Sequence, residues 1–121
     1  MSSQDEHEAR SLDVLGAPWP HVHAWLDHYF DEVSGVAHRI VLHHRRGIEL
    51  GVATFGESAR PALELHIEDD FEIIPETPDE VAQMVGEQGL LSFEQAELLL
   101  PIIVKLWPNI ECSVRKYVRT E

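Results

Sequence analysis

From His21 to Val33 the apolar residues Val22, Trp25, Leu26 and Phe30 recur at helical spacing, with Asp27 and Asp31 on the wetter side. Ser34 and Gly35 interrupt the pattern. It resumes at Val36 and runs to Phe55, where Gly56 supplies a helix stop. On a wheel turned by about 100° per residue, Ala37, Ile40, Val41, His44, Ile48, Gly51, Val52 and Phe55 share one face. His44 falls near the centre of that face, and His43 on its shoulder with Gly47 and Leu50. His38, Arg39, Arg45, Arg46 and Glu49 fall on the opposite side. The stretch therefore predicts one central amphipathic helix over 36–55, with its arginines mostly toward water.

Downstream the periods are less clear-cut. In PALELHIEDDFEIIP, Leu63, Leu65 and Ile67 alternate with polar residues as in a strand. Leu63, His66, Ile67, Asp70 and Phe71 also fit one side of a helix, and helix is favoured. Thr77 can cap a following helix, with Pro78 in its first position and Glu80 completing a capping box. Ser92 and Gln95 repeat that device before AELLLPIIVKLW, where Pro101 is expected to kink or split the helix. NIECSVRKYV fits either a last helix or a short strand. The fold expected is mainly α: a compact helical bundle of about five helices forming one domain over 13–121. A flexible tail over 1–12 and a candidate short strand near the C-terminus complete the expectation.

Composition narrows the class. A chain of 121 residues can bury a core without disulfide or metal staples. One cysteine, Cys112, allows no intrachain disulfide, so a reducing, cytoplasmic setting is the default expectation. No apolar run approaches the ~18 residues that span a bilayer, and MSSQDEHEAR lacks the pattern of a secretory signal. Acidic residues outnumber basic ones 22 to 9, and between Arg60 and Lys105 there is no basic residue. That field repels phosphate backbones and argues against direct nucleic-acid binding. It suits cations and basic protein surfaces, so 61–104 is a candidate docking segment for a basic partner. The apolar run Leu98–Trp107 is a candidate homodimer interface.

The histidines carry the candidate chemistry. The stretch Ala37–Leu50 holds His38, His43 and His44, but one straight helix cannot point all three at one ion. His23 and Asp27 stand four apart, as do His66 and Asp70, so each pair shares one side of its helix. With core-facing His44 these make a mixed imidazole and carboxylate set suited to zinc, manganese, iron or nickel. The expected metal ligands are His23, His44, His66 and Asp70. Asp27, as ligand or base, and Arg39 and His43, as stabilisers of developing negative charge, are the candidates for catalysis. Alternatively, His44 is a core histidine satisfied by a carbonyl or carboxylate. His7 and His28 are assigned no role. No glycine-rich nucleotide loop or nucleophile elbow is present.

The order WLD, HRIVLHHRRGIE, FG, ELHIEDD and IPETPDEV resembles a family of small uncharacterised bacterial domains. That family shares a Trp-x-Asp stretch, a His-Arg-x-x-Leu-His-His-x-x-Gly-Ile segment and a later His-Ile-x-x-Asp followed by Ile-Pro. The resemblance covers about 19–85 and falls on His23, Trp25, Asp27, His38, Arg39, His43, His44, Gly47, His66, Asp70 and Pro75. It brings no established activity. It implies that these polar residues travel together as one constellation, and that PALELHIEDD is helical.

Two functions compete at this level. One is a small metal-binding helical domain with a His/Asp site between helices, hydrolase-like by analogy with helical histidine–aspartate phosphohydrolases, although their adjacent His-Asp pair is missing. The other is a non-catalytic acidic module that binds a protein or mimics nucleic acid, with structural histidines.

Overall fold

A computed structural model describes residues 3–119. Among these residues every regular element is helical, as the patterning predicts, and no strand occurs. Seven α-helices follow in order: α1 (Gln4–Leu15), α2 (Pro20–Asp27), α3 (Arg39–Leu42), α4 (Arg45–Phe55), α5 (Arg60–Phe71), α6 (Pro78–Glu87) and α7 (Phe93–Leu106). Short 3-10 turns occupy His28–Asp31, Val36–His38, Glu57–Ala59 and Val114–Tyr117. No described helix is long and apolar enough to cross a membrane.

Local chemistry accounts for most helix starts. Ser92 and Gln95 form the expected capping box ahead of α7. Thr77 caps α6 by accepting from the Glu80 amide, but the Glu80 carboxylate reaches one residue further back than expected, to the Glu76 amide. Ser3 and Glu6 form a capping box that starts α1, so residues 4–15 are helix where most of a frayed tail was expected. Pro101 does not split α7. The missing hydrogen bond is tolerated because Ala96, Leu99 and Ile103 hold both sides of it in the core. The candidate strand at 110–114 is irregular up to Ser113, whose amide donates to Asp79, and Val114 begins the last 3-10 turn.

The largest departure lies in the stretch predicted as one helix. After α2 ends at Asp27, six residues earlier than the 21–33 pattern allows, the chain breaks again at His43–His44. His44 is extended (φ −158°, ψ 174°) and caps α4 with its own ring: Nδ1 accepts from the Gly47 amide, and Nε2 donates to the Val41 carbonyl at 2.9 Å. Trp107 Nε1 donates to the same carbonyl at 2.8 Å, satisfying the end of α3, and the Arg45 amide donates to Pro75 O. These long-range bonds stabilise a break that no local propensity signals. Arg39 and His38, expected to face water, are buried in consequence.

The core joins Leu26, Ile40, Leu42, Ile48, Leu63, Ile67, Val81, Val85, Leu91 and Leu99. α5 packs on α1, α2 and α4, whereas α3 packs on α2, α6 and α7. The space among α1, α2, α5 and the α3–α4 break is where the polar cluster forms.

The buried cap has a pH signature. Burial pushes the His44 pKa down to about 3, from an ordinary value of 6.5. The unfolded chain therefore takes up a proton at His44 that the folded chain refuses. The associated stability is fully present above pH 6.5 and is lost as pH falls from there toward 3, at up to about 1.4 kcal/mol per pH unit. His44→Asn keeps a capping acceptor and does not titrate. Urea unfolding between pH 7 and 4 is expected to show a shallower loss for this variant than for the wild type. Parallel profiles would show that His44 is not the group that titrates.

Candidate metal centre

Four segments deliver the cluster. α2 supplies His23 and Asp27 one turn apart, and α5 supplies His66 and Asp70 in the same relation. The α3–α4 break aims His43 at them, because its backbone (φ −83°, ψ 59°) leaves the helical path. α1 adds His7 from above. His43 and His66 are fully buried, the Asp70 side chain is 3% exposed, and the Asp27 side chain, 27% exposed, is the member nearest solvent.

Asp27, His43, His66 and Asp70 each bring one ligand atom, a ring nitrogen or a carboxylate oxygen, within 4.8 Å of the others. His43 Nε2 is 3.4 Å from Asp27 Oδ1 and 3.2 Å from Asp70 Oδ2. His66 Nε2 is 3.3 Å from Asp27 Oδ1 and 3.4 Å from Asp70 Oδ2. Ligands about 2.0–2.1 Å from a tetrahedral ion stand about 3.3–3.4 Å apart, whereas octahedral neighbours at the same bond length stand about 2.8–3.0 Å apart. His43 Nε2 makes no well-directed hydrogen bond to either carboxylate, although both are near and the ring is buried. A buried ring nitrogen aimed between two carboxylates, and bonded to neither, is suited to a shared cation. These four residues could hold a metal ion.

A second trio, His7, His23 and His66, also brings nitrogen atoms together. Its rings are within 14–23° of parallel, and His7 stacks on His66 with centroids 3.6 Å apart. A ligand nitrogen points its lone pair in the ring plane, so stacked parallel rings do not converge on one ion. The His43 and His66 rings, 65° apart, do not have that obstacle. The His23–His66 approach, Nδ1 to Nδ1 at 2.8 Å, is a hydrogen bond, and His23 Nε2 continues it to Ser11 Oγ at 2.5 Å. His23 thus stands behind His66, where a partner fixes a ligand's tautomer and orientation.

The electrostatics agree with a cation site. Burial opposes ionisation of Asp27, yet the imidazoles of His38, His43 and His66 around it outweigh that and hold the carboxyl far below its ordinary range. Asp70 is held low in the same way by His43, His66 and His7. Burial drives His43 toward its neutral form and His23 down to about 4. For His66 burial acts in the same direction, but Asp27 and Asp70 raise its pKa overall. Two carboxylates thus stay ionised beside imidazoles, and Arg39 lies 3.4 Å from Asp70 Oδ1 while stacking over Phe71 at 5.2 Å.

The expected site residues divide accordingly. His66 and Asp70 stand together as expected, and Asp27 and His43, read from sequence as catalytic candidates, complete their set. His44 does not join, because both its nitrogens are engaged in capping α4 and closing α3. His7, assigned no role, is buried within the cluster with Nε2 at 3.4 Å from Asp70 Oδ1. His38, placed on the solvent side, instead turns inward, with Nε2 3.1 Å from Asp27 Oδ1 and Nδ1 2.7 Å from Gly35 O, both oxygens being acceptors. His28 stays at the surface against Trp25 O. Burial and Asp79 push the Cys112 thiol up to about 12, which removes it as a nucleophile.

A cleft of about 390 Å³ opens onto this cluster, lined by Ala24, Asp27, Phe30, Asp31, His38, Arg39 and Asp70, with Gln4 of α1 and its cap Ser3 on one side. A larger groove of about 580 Å³ beside α7 shares only Asp31 with it and is lined by no histidine. The arrangement offers an N₂O₂ set with both imidazoles buried and an approach from solvent past Asp27. Comparison of the chain with protein-family models, with curated proteins and with solved structures gives no match.

Proposed function

We propose that this chain binds one divalent transition ion, zinc by preference, through Asp27, His43, His66 and Asp70, and that it is a small metal-dependent hydrolase. The observation that carries this reading is the set of four carboxylate–imidazole separations of 3.2–3.4 Å, two of them made by His66 Nε2 and two by His43 Nε2, a buried ring nitrogen with no hydrogen-bond partner. When bound, such an ion supplies Lewis acidity toward an ester oxygen and toward water. The chain's own residues do the rest. Asp27 presents the centre to the cleft, and His38 holds its carboxylate in place. Arg39 positions Asp70 and brings positive charge to the cleft wall, where an anionic ester would enter.

The acidic-module reading has less support. Part of the acidic segment is neutralised from within, since Glu64 pairs with Arg45, Asp69 with Arg10 and Glu97 with Arg115.

The test is metal content by elemental mass spectrometry of tag-free protein after exposure to zinc, manganese, nickel or ferrous iron. The expected result is about one equivalent, lost in His43→Ala and Asp27→Asn, and zinc-dependent hydrolysis of nitrophenyl phosphate esters by the wild type alone. Folded protein that takes up none of the four ions would overturn the metal reading. Stoichiometric binding without turnover of any ester would remove the hydrolase half.

A further inference from the structure

α1 is built the wrong way round for a helix held by apolar packing. Its fully buried side chains are two polar ones, His7 and Ser11, one turn apart, whereas Leu12 and Val14 are 56% and 49% exposed. Only Leu15, at the C-terminal end, packs against the core. The inner face of α1 instead rests on the candidate metal centre. His7 stacks on the His66 ring and brings Nε2 to Asp70 Oδ1, while Ser11 Oγ meets His23, which in turn meets His66. The remaining anchors are surface contacts, Gln4 to Pro20 O and Arg10 to Asp69, of a kind that adds little.

We propose that α1 is a strap over the metal centre, with His7 and Ser11 as positioning residues for Asp70 and His66, and that ion binding and α1 docking are one coupled equilibrium. This rests on the metal-binding reading above. His66 and Asp70 form the platform for α1, and an ion held by these two side chains would keep both in the orientation that His7 and His23 require. With the ion on Nε2, the His66 proton sits on Nδ1 and is donated to His23 Nδ1. His23 then carries its own proton on Nε2 and donates it to Ser11 Oγ. Each link in that chain thereby has one donor and one acceptor. The coupling is reciprocal: whatever factor the ion adds to α1 docking, α1 docking adds to ion affinity. Ser3 and Gln4 also form one side of the cleft, so release of α1 widens the approach to Asp27 and Asp70.

Hydrogen exchange followed by mass spectrometry on the full chain, with and without zinc, reads this directly, alongside calorimetric zinc titration. With zinc bound, amides of residues 7–15 are expected to exchange at least tenfold more slowly than in chelator, while those of α6 and α7 change little. Ser11→Ala and His7→Phe, the second keeping the ring stack, are each expected to weaken zinc binding about tenfold with α6 and α7 exchange unchanged. Zinc bound at full stoichiometry with no change over 7–15, or with unchanged affinity in both variants, would overturn the strap and leave the metal reading intact. Absence of zinc binding to the folded wild type would overturn both.

Discussion

Asp70→Asn is expected to unfold in urea about 3–5 kcal/mol more easily than the wild type, the range for breaking a buried ion pair from one side. The Asp70 side chain is 3% exposed and faces four partners: His7 and Arg39 on Oδ1, His43 and His66 on Oδ2. The amide is nearly isosteric, so the loss is electrostatic. Arg39, with a side chain 7% exposed, keeps its charge in the interior without a carboxylate to face it. The same change at Asp69, which pairs with a half-exposed Arg10, is expected to cost less than about 1 kcal/mol. Zinc at about a hundred times its dissociation constant should stabilise the wild type by about 2.7 kcal/mol and the Asp70→Asn protein by little. Urea titrations of the three proteins in zinc and in chelator measure all of this. A penalty at Asp70 no larger than at Asp69, with zinc stabilisation retained, would contradict both the pairing and the ligand role.

Gly47→Ala is expected to be as damaging, for a reason opposite to helix propensity. Gly47 lies within α4, where alanine normally stabilises by about 1 kcal/mol. Here an added Cβ would stand 1.8 Å from Leu42 O and 2.6 Å from Leu42 C. Those are backbone atoms of the preceding helix and cannot swing aside as a side-chain tip can. The close approach exists because the chain doubles back at His43–His44 and lays the first turn of α4 against the end of α3. Relieving the clash means opening the break that aims His43 and seats His44. Thermal and urea unfolding are expected to show a loss of about 4 kcal/mol or more, with zinc binding lost alongside. An unchanged or raised melting temperature would show that the break relaxes at little cost.

Much of the helical layout was legible before any tertiary information. The caps at Thr77 and Ser92 and the helical spacing through His66 and Asp70 each reflect rules acting within a few residues. The α1 capping box was equally legible in Ser3 and Glu6. It is easily passed over because periodicity searches look for an apolar inner face, and the inner face of α1 is histidine and serine. His7 belongs to that face, and His7 and Ser11 stand at the same one-turn spacing as the two His-Asp pairs.

What the sequence determined by itself is the helical class, most of the core, and a supply of imidazole and carboxylate groups at one-turn spacing. These follow from local propensity, capping and the period of the apolar pattern, which depend on neighbours a few residues away. Which of those groups meet was decided by the tertiary structure. The Arg45 amide finds Pro75, thirty residues on, and the Val41 carbonyl takes a hydrogen bond from Trp107. Those bonds turn His43 inward and leave His44 as a cap, reversing the roles a continuous helix assigns them. Periodicity reports only how side chains are arranged around one axis. Convergence on a point depends on how several axes and a break between them are set in space, and that is settled by contacts far apart in the chain.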